Sequence, residues 1–457
     1  MYLTPTTITA YLEELVGARP NEFPGVDSDE RKNAKRCATA IAVLRQKCEP
    51  LYAEAAQACL RKDIAEIQSK INNSMLAKVQ ETKVLLNQLL LDKLRYLNGH
   101  GPQHLQAVDA KAYELLDTTG LALCVKPYEV FFLAAALIIH DAGLIFGRDG
   151  HESNIKNILR NIDENVINQH ERNTIELIAA AHGGHVINQP NNKATIDGLN
   201  TRTQVRGKLI REQMIASIVR LADELAEDRT RSTAIPFATP EARRNELAGS
   251  EIFHVYSTCL ESCYIDGKDR TIQIQYLLNL EDALTRFMKG SNEVYILDEI
   301  YSRVLKCFSE LMYCNRFIYD GAAGNSLTLP TSIRASVEIY EKDEARPLFS
   351  FVFTLKESGY PSMHERQIAL CCPEIRAAMI TFGITHSVSE GEVTTALHAG
   401  PTGAALAEIL KKAMQKPDNK TTEEISESVD TKKIPNSRQK ERSWWKEFFN
   451  FGGWNDE

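Results

Sequence analysis

The stretch YEVFFLAAALIIHD, residues 128–141, is apolar along almost its whole length and then stops on His140 and Asp141. A run of this kind with no Gly or Pro reads as a buried helix, and it delivers an imidazole and a carboxylate together at its end. An ionised Asp buried beside a His is costly unless it pairs or holds a metal. Helical patterns continue on either side. They cover residues 152–161, 171–182 and 210–227, and another helix begins near Gln103 with Val108, Ala112 and Leu115 on its apolar stripe. His104 stands at the start of that helix. Asp223 falls mid-helix beside Ile218, Val219, Leu221 and Ala222, where a carboxylate needs a reason. Seven of the eleven histidines lie between His100 and His185.

The rest of the chain predicts an α+β multidomain protein: an all-α core, then an α+β domain, then a disordered C-terminal tail. At 457 residues it is long enough for about three domains. Residues 29–97 predict two or three helices, with Pro50 as the interior breaker. After residue 239 the texture changes. Residues 263–278 alternate around Asp266-Gly267 as a hairpin does, a helix follows at 294–313, and strands follow at 334–340 and 348–355. A helix–strand–helix run closes at 403–414. The expected divisions are an N-terminal helical region at 1–80, the histidine-bearing domain at 81–240, and an α+β accessory domain at 241–415. A polar linker at 416–440 and an aromatic motif at 441–457 complete them.

Charge and composition exclude several classes. A net charge of −8 disfavours a sequence-blind coat for nucleic acid. The longest apolar run, residues 130–139, is too short to span a bilayer, so no membrane span is expected. Residues 1–15 lack a basic start and carry Glu13 and Glu14, so no secretory signal is expected, and the cysteine usage points to a reducing compartment, the cytoplasm. None of the ten cysteines forms a Cys-x-x-Cys pair. Cys37, Cys48 and Cys59 recur every eleven residues along one helix face, as buried free thiols do.

The ordered series His104, His140-Asp141, His151, His182, Asp223, all on helices, resembles the HD superfamily of metal-dependent phosphohydrolases. GPQHLQAV (101–108), AAALIIHDAG (134–143), GHES (150–153) and IVRLADELAEDRTR (218–231) carry the resemblance, which is strongest to the HD branch of bacterial conflict and defence proteins. It implies one divalent metal held by His104, His140, Asp141 and Asp223. His151 and His182 would hold a second metal or act as acid/base groups, with Asp141 bridging. Asp141, His151 and Glu152 are then the catalytic candidates. Mn, Fe, Co, Ni, Zn and Mg all suit such a ligand set. Arg202, Arg206, Lys208, Arg211 and Arg220 are expected to gather as an anion site for substrate phosphates.

The segment 140–152 is also similar to deoxynucleoside triphosphohydrolases. The His182-Gly183-Gly184-His185 run lacks the Gly-Tyr-Pro that cyclic-dinucleotide phosphodiesterases carry next. The leading expectation is hydrolysis of nucleotides, including (d)NTPs, in a defence or nucleotide-signalling setting. The alternatives are a phosphodiesterase or nuclease acting on single-stranded nucleic acid or an oligonucleotide messenger, and a non-catalytic regulatory or scaffold module. All three tryptophans, Trp444, Trp445 and Trp454, lie with Phe448, Phe449 and Phe451 at the C-terminus. The Trp444–Trp454 motif is read as a docking peptide for a partner protein or a neighbouring subunit, which allows a homo-oligomer.

Overall fold

The computed structural model describes residues 5–24, 30–72, 102–146, 150–186, 189, 192–227, 251–289, 292–318, 327–342 and 344–357. The expectations for residues 403–414, the linker and the aromatic motif lie outside them, as do His100, Arg229 and Arg231. The architecture is α+β, with the helices leading and the larger sheet in the C-terminal half. Its contacts define two units. One holds residues 1–247, 260–273 and 306–333; the other holds 248–259, 274–305 and 334–457.

The first unit is built around a helix that is apolar on every side. This helix, Pro127–Ile139, is α4; all thirteen of its residues are buried. An all-round apolar helix has to be enclosed by protein. Here α1 (Ile8–Ala18), α2 (Glu30–Asn72), α3 (Pro102–Thr119), α6 (Gln169–Ala180) and α7 (Glu212–Leu225) pack against it. Extended through the 3₁₀ turn Ala142–Phe146, the segment is long and apolar enough by length and composition to cross a membrane. It is core instead, because 89% of its most apolar window is covered by the protein.

Helix α2 departs from expectation, since Pro50 does not break it. Proline removes the bond to the carbonyl four residues back. Gln46 and Pro50 both lie on the exposed side, so water can satisfy the freed carbonyl. The opposite stripe of α2 is Cys37, Ala40, Ile41, Leu44, Cys48 and Tyr52, all buried. Burial pushes the Cys37 and Cys48 thiols up to about 12, so they serve as packing groups.

The helix expected from residue 210 begins at Glu212, because residues before it form a hairpin. Strands β1 (Thr203–Val205) and β2 (Lys208–Ile210) pair antiparallel around Arg206-Gly207. Both turn residues have positive φ, 47° and 78°, as a two-residue hairpin turn requires. Helix α5 (His151–Leu159) precedes α6, which starts with a reciprocal cap. Glu171 N–H donates to Asn168 Oδ1 and Asn168 N–H donates to Glu171 Oε2.

Farther on, α8 (Glu251–Cys259) leads into β3 (Leu260–Asp266) and β4 (Thr271–Asn279), the expected hairpin. A short helix α9 (Leu280–Leu284) is followed by β5 (Arg286–Lys289) and β6 (Asn292–Tyr295), then α10 (Ile296–Asn315), β7 (Ser332–Tyr340) and β8 (Phe349–Lys356). The sheet order is β3-β4-β7-β8. On β8 the buried residues Phe349, Phe351, Phe353 and Leu355 alternate with more open ones, the period-two pattern of a strand with one covered face.

Candidate metal centre

Six side chains from five helices of the first unit meet around Asp141. His104 comes from the first turn of α3, His140 caps the C-terminus of α4, and Asp141 follows it. His151 opens α5, His182 follows the end of α6, and Asp223 lies in the last turn of α7. The two oxygens of Asp141 face different histidine pairs. Oδ2 lies 3.7 Å from His104 Nε2 and 3.6 Å from His140 Nε2. Oδ1 lies 3.2 Å from His151 Nε2 and 3.4 Å from His182 Nε2. Asp223 Oδ1 closes the first side, 3.0 Å from His104 Nε2 and 3.7 Å from His140 Nε2. Two ligand-like groups result, His104-His140-Asp141 and Asp141-His151-His182, with Asp141 common to both.

Backbone carbonyls orient two of the rings. His140 Nδ1–H donates to Leu137 O at 2.8 Å, and His182 Nδ1–H donates to Ala179 O at 2.6 Å. A carbonyl can only accept, so each ring keeps Nε2 for the centre. Both histidines bond the carbonyl three residues back at a helix end, so one local device is used twice.

Two glycine positions set the spacing. A Cβ on Gly143 would stand 2.1 Å from the carbonyl oxygen of His151. Only glycine lets the turn after Asp141 lie against the start of α5, which brings His151 to Asp141. Gly184, at φ 71°, faces the carboxylate of Glu152, whose Oε1 would be 3.0 Å from an added Cβ. The Glu152 Oε2 atom lies 3.5 Å from His151 Nδ1.

The electrostatics are those of imidazoles and carboxylates held close in a buried place. Burial alone would lower His140, but the charges of Asp141 and Asp223 outweigh it and carry the pKa up to about 9. Burial would raise Asp223, yet the hydrogen bond from His104 and the charge of both neighbouring imidazoles hold its carboxyl well below the usual range. His140 Nε2 is buried with no hydrogen-bond partner. An aimed, unsatisfied imidazole nitrogen between two carboxylates is what a divalent cation would satisfy, and the donor set fits one. Exposure is graded across the cluster. The His104 and His140 side chains are closed at 0%, whereas Glu152 is 16% and Asp223 29% open, so water and ligands reach the centre from that side.

The basic residues have other partners. Arg211 makes a two-pronged pair with Glu129, Nε to Oε1 at 2.8 Å and Nη2 to Oε2 at 2.6 Å. Arg220 does the same with Glu310 at 2.6 and 3.0 Å, bonds Lys193 O and Thr195 Oγ1, and lies over the Tyr313 ring. Arg206 Nε lies 3.3 Å from Glu171, a buried carboxylate that also accepts from Arg36 and the Tyr128 hydroxyl. Of the five cations expected to gather as an anion site, Arg206, Arg211 and Arg220 thus stand beside carboxylates, while Arg202 and Lys208 are exposed. Arg220 stands three residues before Asp223 in the sequence, but nothing there signals Glu310, 90 residues later.

Sequence reasoning also passed over Tyr52. Its hydroxyl donates to Ile138 O at 3.1 Å and accepts the backbone N–H of Asp141 at 3.3 Å.

Residues 89–277 match the family described as HD-CE, so the chain carries an HD-type domain, and the match spans all six clustered side chains and the five helices that position them. No curated protein matches the chain. The family match and the His/Asp groups together fit an HD-type metal-dependent hydrolase able to hold divalent metal.

Proposed function

We propose that the protein hydrolyses phosphate bonds of nucleotides, (d)NTPs foremost, in a defence or nucleotide-signalling setting. The observation that carries this reading is the division of Asp141 between two histidine pairs. A bound divalent metal would lower the pKa of a coordinated water and polarise a phosphoryl oxygen. His104, His140, Asp141 and Asp223 would hold one ion; His151 and His182 would join Asp141 around a second, or exchange protons with the reacting groups.

The chain's own residues set the rest. His140 and His182 are held by carbonyls and keep their aim when substrate arrives. Glu152, beside His151 on the open side, is placed to take or return a proton. With three of the arginines balanced, recognition of the phosphates falls to the metals, aided by Arg202 and Lys208. Such a site suits a compact polyphosphate better than a long polyanion, which an acidic chain repels over the rest of its surface.

The test is incubation of Mn²⁺-loaded protein with separate (d)NTPs, cyclic nucleotides and single-stranded oligonucleotides, with products identified by anion-exchange chromatography. Release of phosphate or tripolyphosphate from mononucleotides supports the reading. Cleavage of oligonucleotides alone moves it to a phosphodiesterase or nuclease, and binding without turnover moves it to a regulatory module.

A further inference from the structure

Helix α2 lies wholly before the family-matched residues 89–277, yet it reaches the metal centre through one side chain. Tyr52 is 1% exposed, at the end of the buried stripe Cys37, Ile41, Leu44 and Cys48. Its ring centroid is 6.5 Å from that of His140. The hydroxyl is used twice, donating to Ile138 O and accepting from Asp141 N–H. These are two backbone groups at a helix end, where the chain leaves its regular hydrogen bonding and some other group has to satisfy it. Between them lie only Ile139 and His140. The bridge therefore pins the backbone that carries both a buried imidazole and the carboxylate shared by the two histidine pairs. Burial and the neighbouring Asp141 charge keep the phenol protonated, as donation to a carbonyl requires.

We infer that Tyr52 is a positioning residue of the metal centre, supplied by the N-terminal helix to fix the backbone of the His140-Asp141 pair. It touches no metal and no substrate. Its effect passes through the Ile138 carbonyl and the Asp141 amide, and helix α2 is thereby a working part of the centre. The inference rests on the proposed metal-dependent reading.

The experiment uses full-length protein and Mn²⁺ alone as the probe, with affinity measured by isothermal titration calorimetry. Tyr52→Phe keeps the ring and removes the bridge. Supporting groups around metal ligands change affinity by about 10–100-fold when removed, and a loss in that range is expected. Leu44→Ala, on the same buried stripe, weakens helix packing without touching the bridge and should bind Mn²⁺ as the wild type does. If Tyr52→Phe does not fold, para-aminophenylalanine at position 52, whose amino group can still donate to Ile138 O but accepts poorly from the Asp141 N–H, should lower Mn²⁺ affinity while Leu44→Ala leaves it unchanged.

A folded Tyr52→Phe protein with wild-type affinity would overturn the inference and leave the hydrolase reading standing. Equal losses in Tyr52→Phe and Leu44→Ala would also overturn it, since general destabilisation would then explain both. A para-aminophenylalanine protein that folds and binds Mn²⁺ as tightly as the wild type would likewise overturn it. A wild-type protein that binds no Mn²⁺ would overturn this inference and the functional reading together.

Discussion

Oδ1 of Asp141 lies 3.2 Å from His151 Nε2, while the other oxygen of the same carboxylate faces His104 and His140. One side chain thus joins two sets of ligand atoms that come from different helices. The arrangement depends on Gly143, which lets His151 approach, and on the carbonyls that aim His140 and His182. Its consequences can be tested separately.

The first consequence is a pH dependence. His140 has a pKa near 9 in the metal-free protein, above the 6.5 of free imidazole. A raised value means that protonated His140 stabilises the fold fully below about pH 6.5 and that this contribution is lost as pH rises toward 9. A metal competes for the same nitrogen, so its affinity should rise over that window by about tenfold per pH unit for one displaced proton. Thermal melts with and without Mn²⁺ should show a gap that widens from pH 6.5 to 9. A gap that is constant or narrows would place the displaced proton elsewhere.

Arg220 should matter for stability rather than for substrate affinity. Its guanidinium is 6% exposed and paired with Glu310, so Arg220→Ala leaves a largely buried carboxylate without its partner. Breaking such a pair costs about 3–5 kcal/mol. Chemical denaturation should show that loss, with KM for the best nucleotide within about twofold of wild type. A large rise in KM at unchanged stability would return Arg220 to the substrate site.

Gly143→Ala tests the spacing. The new Cβ would collide with the His151 carbonyl and force the turn and α5 apart. We expect a stability loss of about 1–3 kcal/mol and a fall in kcat/KM of about a hundredfold, because small displacements of reacting groups are costly. Unchanged kinetics would show that His151 need not stand where the structure puts it.

Deletion of residues 441–457 tests the aromatic motif. Metal affinity and hydrolysis of mononucleotides should persist, while the elution volume in size-exclusion chromatography, or a partner recovered with the full chain, should change. Loss of catalysis with no change in association would assign the motif to the active site.

How much of this was legible in the sequence depends on range. The end of α4 could be read directly, because an apolar run that stops on His140-Asp141 announces both a buried helix and an anomaly at its tip. The β3–β4 hairpin was legible from Asp266-Gly267 and strand alternation. Pro50 misled, because a proline on the solvent side of a long helix is tolerated when the freed carbonyl can meet water. The partners of Arg211 and Arg220 were not readable, since Glu129 and Glu310 are distant in sequence and ordinary in local pattern. Tyr52 was hidden for the same reason: nothing in its own neighbourhood marks a tyrosine whose hydroxyl meets a backbone amide 89 residues away.

The central claim is that Asp141 unites the histidine pairs into a metal centre that drives hydrolysis. The most direct measurement compares wild type with Asp141→Ala for bound Mn²⁺ by elemental analysis after gel filtration and for turnover of the best nucleotide, with circular dichroism as the check on folding. The account predicts a folded variant that retains little metal and turns over about 10²–10⁴-fold more slowly. A folded Asp141→Ala protein with wild-type metal content and full hydrolysis would contradict it.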